Sequence, residues 1–64
     1  MDPEKRRNKI IKILEKSTEP QSASAMADML SVSRQVIVGD VALLRASGFD
    51  IEATPRGYVI DPSG

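Results

Sequence analysis

The sequence predicts an α+β domain in which three helices precede a two-stranded β-hairpin. Three features carry that expectation. Apolar residues recur at helical spacing in three separate stretches ending at Leu44. Serines stand where the second and third stretches would begin, and Gly48 stands where the third would stop. Beyond it, residues 49–54 and 58–60 flank Pro55-Arg56-Gly57 and read as strand, tight turn and strand.

The first helix is expected over residues 3–16. Asp2 is a good N-cap, Pro3 suits the first helical position, and Glu4 favours the positive end of the helix dipole. Ile10, Ile11, Ile13 and Leu14 form its apolar face, with Arg6, Arg7 and the lysines on the rest. Pro20 disfavours helix at Glu19, so the segment that follows is a loop or one short extended piece. A second helix over 23–30 starts after Ser22 as N-cap, with Met26, Met29 and Leu30 facing the core. Ala27 is the small residue that lets the second and third helices approach. Ser31-Val32 makes the turn, with Ser31 in a position where φ tends to be positive and glycine is common.

The third helix is expected over 33–46. Ser33 caps it simply, since no acidic or amide residue follows three positions later. Ile37, Val41 and Leu44 form the inward stripe, Val36, Val38 and Leu43 lie off it, and Gly48 is placed as a C-terminal glycine would be. Gly39 costs about 1 kcal/mol of helix propensity relative to alanine. The hairpin then spans 49–60, with Tyr58 turned to the core and its hydroxyl at the rim. Residues 61–64 read as a frayed tail. Two helices joined by a tight turn, the second presenting its start outward, form a helix-turn-helix. With a hairpin directly behind, this becomes a winged helix-turn-helix.

Composition excludes several classes of function. A chain of 64 residues makes one small domain, which buries only about 60% of its unfolded surface and leaves little room for a substrate cleft. It contains no cysteine and no histidine. Disulfides, thiolate metal sites and the commonest metal ligand and acid–base group are therefore missing. The expectation is a protein that is not an enzyme and uses no cofactor and no metal. No apolar stretch reaches the length of a signal-peptide core or a membrane span, so a cytoplasmic location without membrane contact is expected.

Nine basic and nine acidic residues give a net charge of zero, where nucleic-acid binders are usually basic. Their distribution is uneven. Residues 4–16 hold six basic residues against two acidic ones, a surplus of four, and the other basic residues are Arg34, Arg45 and Arg56. These three fall at the start of the third helix, near its end, and at the wing tip, each a place where a phosphate could be met. The acids Asp28, Asp40, Asp50, Glu52 and Asp61 dilute this field, so the expected partner is double-stranded DNA bound with modest affinity and a shallow salt slope.

Within that reading, Arg34 and Gln35 occupy the helix turn that enters the major groove. Arginine can pair with guanine and glutamine with adenine; alternatively both are solvated and Arg34 touches only phosphate. Ser33 and nearby N–H groups would meet phosphates. Val36 and Val38 would either touch thymine methyl groups or cover the core edge. Arg45 would contact a phosphate or pair with a neighbouring acid. Arg56 would reach the minor groove or a phosphate, or remain a solvated hairpin tip. The basic face of the first helix reads as solvated, with Arg6 and Arg7 its only residues able to approach DNA. Leu43, exposed beside Val36, would be unremarkable or part of a homodimer contact. The rival reading is a protein-interaction module using Val36, Val38 and Leu43; zero net charge and Gly39 favour it, and the three arginines oppose it.

Four segments together resemble a known domain: Ser33-Arg34-Gln35-Val36-Ile37-Val38, Asp40-Val41-Ala42-Leu43-Leu44-Arg45-Ala46, Gly48-Phe49-Asp50-Ile51 and Ala53-Thr54-Pro55-Arg56-Gly57-Tyr58. The chain is similar, from about Arg7 to Ile60, to the N-terminal DNA-binding domain of nicotinate-responsive transcriptional repressors of NAD biosynthesis. More broadly it resembles the DNA-binding domain of the biotin ligase/repressors. The Ser-Arg-Gln piece is shared by many helix-turn-helix proteins, while the Thr-Pro-Arg-Gly-Tyr wing at its distance from Leu-Leu-Arg-Ala is far more specific. The resemblance implies a repressor's sequence-specific DNA-binding domain. Members of that group carry a second domain that binds a metal and the nicotinate signal. This chain is expected to lack that ligand-sensing domain, so no effector carries over. Gly39 replaces a larger polar residue of the relatives, so their operator preference does not carry over either.

Overall fold

A computed structural model describes residues 2–61. Its elements are α1 (Pro3–Lys16), α2 (Ala23–Leu30), α3 (Arg34–Ala46), β1 (Ile51–Thr54) and β2 (Gly57–Ile60). This is the expected α+β winged helix-turn-helix: three helices followed by an antiparallel hairpin.

The core forms where one stripe from each helix meets the first strand. Ile10 and Leu14 come from α1, Ala23, Met26, Ala27 and Leu30 from α2, Ile37, Val41 and Leu44 from α3, and Ile51 from β1. On α2 the buried residues are spaced i, i+3, i+4, i+7, and alanines at two of those positions bring its axis close to its neighbours. Met29 lies off this narrow stripe and is 53% exposed, which corrects the expectation that it faces the core. Ile11 and Ile13 are only half-buried at the edge of the α1 face. Asp2 occupies the N-cap position of α1 but makes no side-chain capping bond; its carbonyl accepts from the Arg6 N–H.

The ends of α2 and α3 are built alike. At α2 the Ser31 N–H donates to Asp28 O and the Val32 N–H to Ala27 O, with Ser31 left-handed at φ 56°. At α3 the Gly48 N–H donates to Arg45 O and the Phe49 N–H to Leu44 O, with Gly48 at φ 104°. Both are Schellman closures, which satisfy helix carbonyls that would otherwise lack partners. In the second, Phe49 is committed to ending the helix and remains exposed, so β1 starts at Ile51 rather than at residue 49.

The hairpin pairs Ile51 with Ile60, Glu52 with Val59, Ala53 with Tyr58 and Thr54 with Gly57. The extended piece before α2 proves to be Gln21, which exchanges both backbone hydrogen bonds with Tyr58 at 3.0 and 2.7 Å. This ties the wing to the start of α2. Gly57 makes it possible: its φ is 139°, and a Cβ there would stand 2.5 Å from the Gln21 carbonyl carbon. Tyr58 packs half-buried against the core as expected. Of the expected frayed tail, residues 62–64 lie outside the described residues.

Candidate nucleic-acid interface

A serine stands just before helix α3 because the first N–H groups of the helix have no partner inside it. Ser33 Oγ accepts from the Val36 N–H at 3.3 Å, as the sequence predicts. Ser33, Arg34 and Gln35 are all exposed, so the leading end of the helix is open to solvent. Ile37, Asp40, Val41 and Leu44 define its buried side. With 3.6 residues per turn, Gln35, Gly39, Ala42 and Ala46 then face outward. Arg34, Val38 and Arg45 lie along one flank of that face, and Val36 and Leu43 along the other. Val36 is half-buried at the core edge, whereas Val38 and Leu43 are exposed.

The wing places Arg56 at the hairpin tip. Thr54 organises the turn: its Oγ1 accepts from the Arg56 N–H at 3.2 Å and donates to Gly57 O at 2.7 Å. Among the described residues only Ser31, Gly48 and Gly57 have positive φ. Arg56 therefore sits in an ordinary right-handed turn, and Gly57 absorbs the twist that rejoins the strands. Arg34 and Arg56 border one open hollow of about 300 Å³ between the wing and the starts of α2 and α3.

Asp40 changes the electrostatics of this surface. It is the only acid in α3, and it is 3% exposed. The Arg6 guanidinium grips it with two hydrogen bonds, from Nε to Oδ2 and from Nη2 to Oδ1, and Arg7 Nη1 lies 3.6 Å from Oδ1. The hydrogen bond to Asp40 raises the Arg6 pKa further above its ordinary value, against the opposing effect of burial. Two expectations are corrected here. Arg6 and Arg7 are held behind α3 by Asp40 rather than left to approach DNA, and Asp40 is removed from the surface rather than diluting its field. The signal was present in the sequence, since 37, 40, 41 and 44 share helical spacing and Asp40 falls on the apolar stripe.

The exposed part of α3 consequently carries Arg34 and Arg45 and no acidic residue. Among the described residues the only ion pairs are those of Arg6 and Arg7 with Asp40, so Arg34, Arg45 and Arg56 have no acidic partner. Also among the described residues, no cluster of acidic side chains could hold a metal, and no helix is long and apolar enough to cross a membrane.

Residues 6–59 match the family model described as HTH domain. The chain is 56% identical over 57 residues to a probable transcription repressor, NiaR, of Thermotoga maritima, covering 89% of this chain and 33% of the relative. It is 43% identical over 54 residues to the transcription repressor NadR of Bacillus subtilis, covering 84% of this chain and 30% of that protein. The chain thus spans about a third of the length of each of these curated relatives. With three helices, an antiparallel wing and a match that reaches into all five elements, the chain belongs to the HTH domain family and is homologous over that span to transcription repressors.

Proposed function

We propose that this domain binds duplex DNA sequence-specifically and acts in transcriptional repression by occupying a promoter, without performing chemistry. The observation that carries the reading is the outer surface of α3, whose first turn is uncovered and whose only acid is buried. Helix α3 lies in the major groove with Arg34 and Gln35 leading, and Val38 lies beside them against the groove wall. Ser33 and Arg45 meet the backbone at either end of the helix, and half-buried Val36 borders the contact. Arg56 on the wing reaches the adjoining backbone or minor groove. Homology to two transcription repressors supports the role, and a domain with that role works on DNA in the cytoplasm.

A single module of this size buries about 600–1,000 Å² of its own surface on DNA. Two copies on a pseudo-palindromic site would supply the specificity a repressor needs. The exposure of Leu43 at 55% and Met29 at 53% favours a second reading, a winged helix that binds a protein partner. Fluorescence anisotropy with labelled random duplex at two salt concentrations separates the two. DNA binding predicts affinity that falls as salt rises; no binding, or binding insensitive to salt, supports the protein partner.

A further inference from the structure

We infer that Arg34 and Arg56 act as one clamp on the DNA backbone, and that Gln35, not Arg34, reads a base. The inference rests on the DNA-binding reading above and divides the labour within it. Two independent features lead to it. The first is the hollow between the wing and the start of α3. Its polar lining consists of Ser22, Ser24, Arg34, Thr54, Arg56 and Tyr58, with no carboxylate. Two guanidiniums facing one space without a counter-ion repel each other, and an anion between them reverses that repulsion. A DNA phosphodiester is the anion a winged helix meets there, and planar guanidinium forks match its oxygens. Thr54 is already engaged within the turn, so the two arginines are the strong donors left free.

The second feature is the phase of α3. Opposite the buried stripe of Ile37, Asp40, Val41 and Leu44 stand Gln35 and, one turn on, Gly39. Nothing lies within 4 Å of the position a Gly39 Cβ would take, so no side chain holds the helix off the groove floor there. Gln35 therefore leads the surface that comes closest to base edges, and its amide can donate to and accept from adenine together. Arg34 is set round the helix from that face, on the flank that borders the wing.

The test measures affinity and base preference over a randomised duplex pool for the wild-type chain and for Arg34→Ala, Arg34→Lys, Gln35→Ala and Arg56→Ala. All three positions are exposed, so the variants should fold. The clamp predicts that Arg34→Ala and Arg56→Ala each weaken every duplex by about tenfold. Each should also lower the salt slope by about one, with base preference unchanged. Arg34→Lys should recover part of the loss, since its ammonium keeps the charge but not the fork, and Gln35→Ala should relax preference at one position. If Arg34→Ala or Arg34→Lys erases preference at a base pair while Gln35→Ala leaves preference intact, the division is overturned although DNA binding stands. If the wild-type chain binds no duplex at all, the DNA-binding reading itself fails.

Discussion

A carboxylate on the apolar stripe of a helix is costly unless cations and hydrogen bonds meet it, and Asp40 is met by Arg6 and Arg7. Removing one side of such a pair leaves the other charge stranded, so Asp40→Ala should lower the unfolding free energy by about 1–3 kcal/mol in urea titrations. Combining Asp40→Leu with Arg6→Met should recover most of that loss, because an apolar pair of similar volume avoids the desolvation cost. Arg6 has its pKa raised, so its contribution is complete below the ordinary arginine value. It is lost only as pH climbs through the higher folded value, which confines the loss to strong alkali. Ser31 shows the reverse economy: it holds φ 56°, which an L side chain adopts at a cost. Ser31→Gly should stabilise the domain by about 0.5–1 kcal/mol, read as a higher urea midpoint at unchanged slope. The sequence made Ser31 legible because the turn is local. Asp40 was equally readable from spacing, but its nearest-bound partner, Arg6, lies 34 residues away, where no periodicity reaches.

At the scale of elements, the three helices follow from apolar spacing and serine caps, and Ser22 and Ser33 accept from Ala25 and Val36 as caps should. The start of β1 was less legible. Phe49 has high strand propensity, yet its N–H closes α3 and the strand begins two residues later. Met29 illustrates the same limit from the packing side, since small residues elsewhere on α2 narrow the stripe that the core can cover. Gly57 reads from sequence as a turn glycine, and the structure adds its close approach to Gln21. Because a Cβ there meets backbone rather than a movable side chain, Gly57→Ala must part the wing from the start of α2. Thermal denaturation should show a loss of about 2 kcal/mol or more, with hydrogen-exchange protection lost first at Gln21 and Tyr58.

Over the whole molecule, a net charge of zero misstates what a partner meets. With Asp40 buried, Arg34, Arg45 and Arg56 have no acidic partner among the described residues, while the lysines of α1 face solvent. If those three arginines supply the phosphate contacts, the slope of log affinity against log salt should be about −3, shallow for a DNA-binding protein. A slope near zero would remove the electrostatic basis of the account. These charges were visible in the sequence at their positions; their freedom from acidic partners was not, because it depends on which acid the fold buries.

A ¹H–¹⁵N NMR titration of the domain with duplex DNA reads the bound surface residue by residue. Binding through α3 and the wing predicts the largest amide shifts at residues 33–36, along the outward side of α3 and at the wing turn around Arg56, with the exposed lysine face of α1 unmoved. Shifts centred on that α1 face or confined to the surroundings of Met29 and Leu43, with the start of α3 silent, would contradict it.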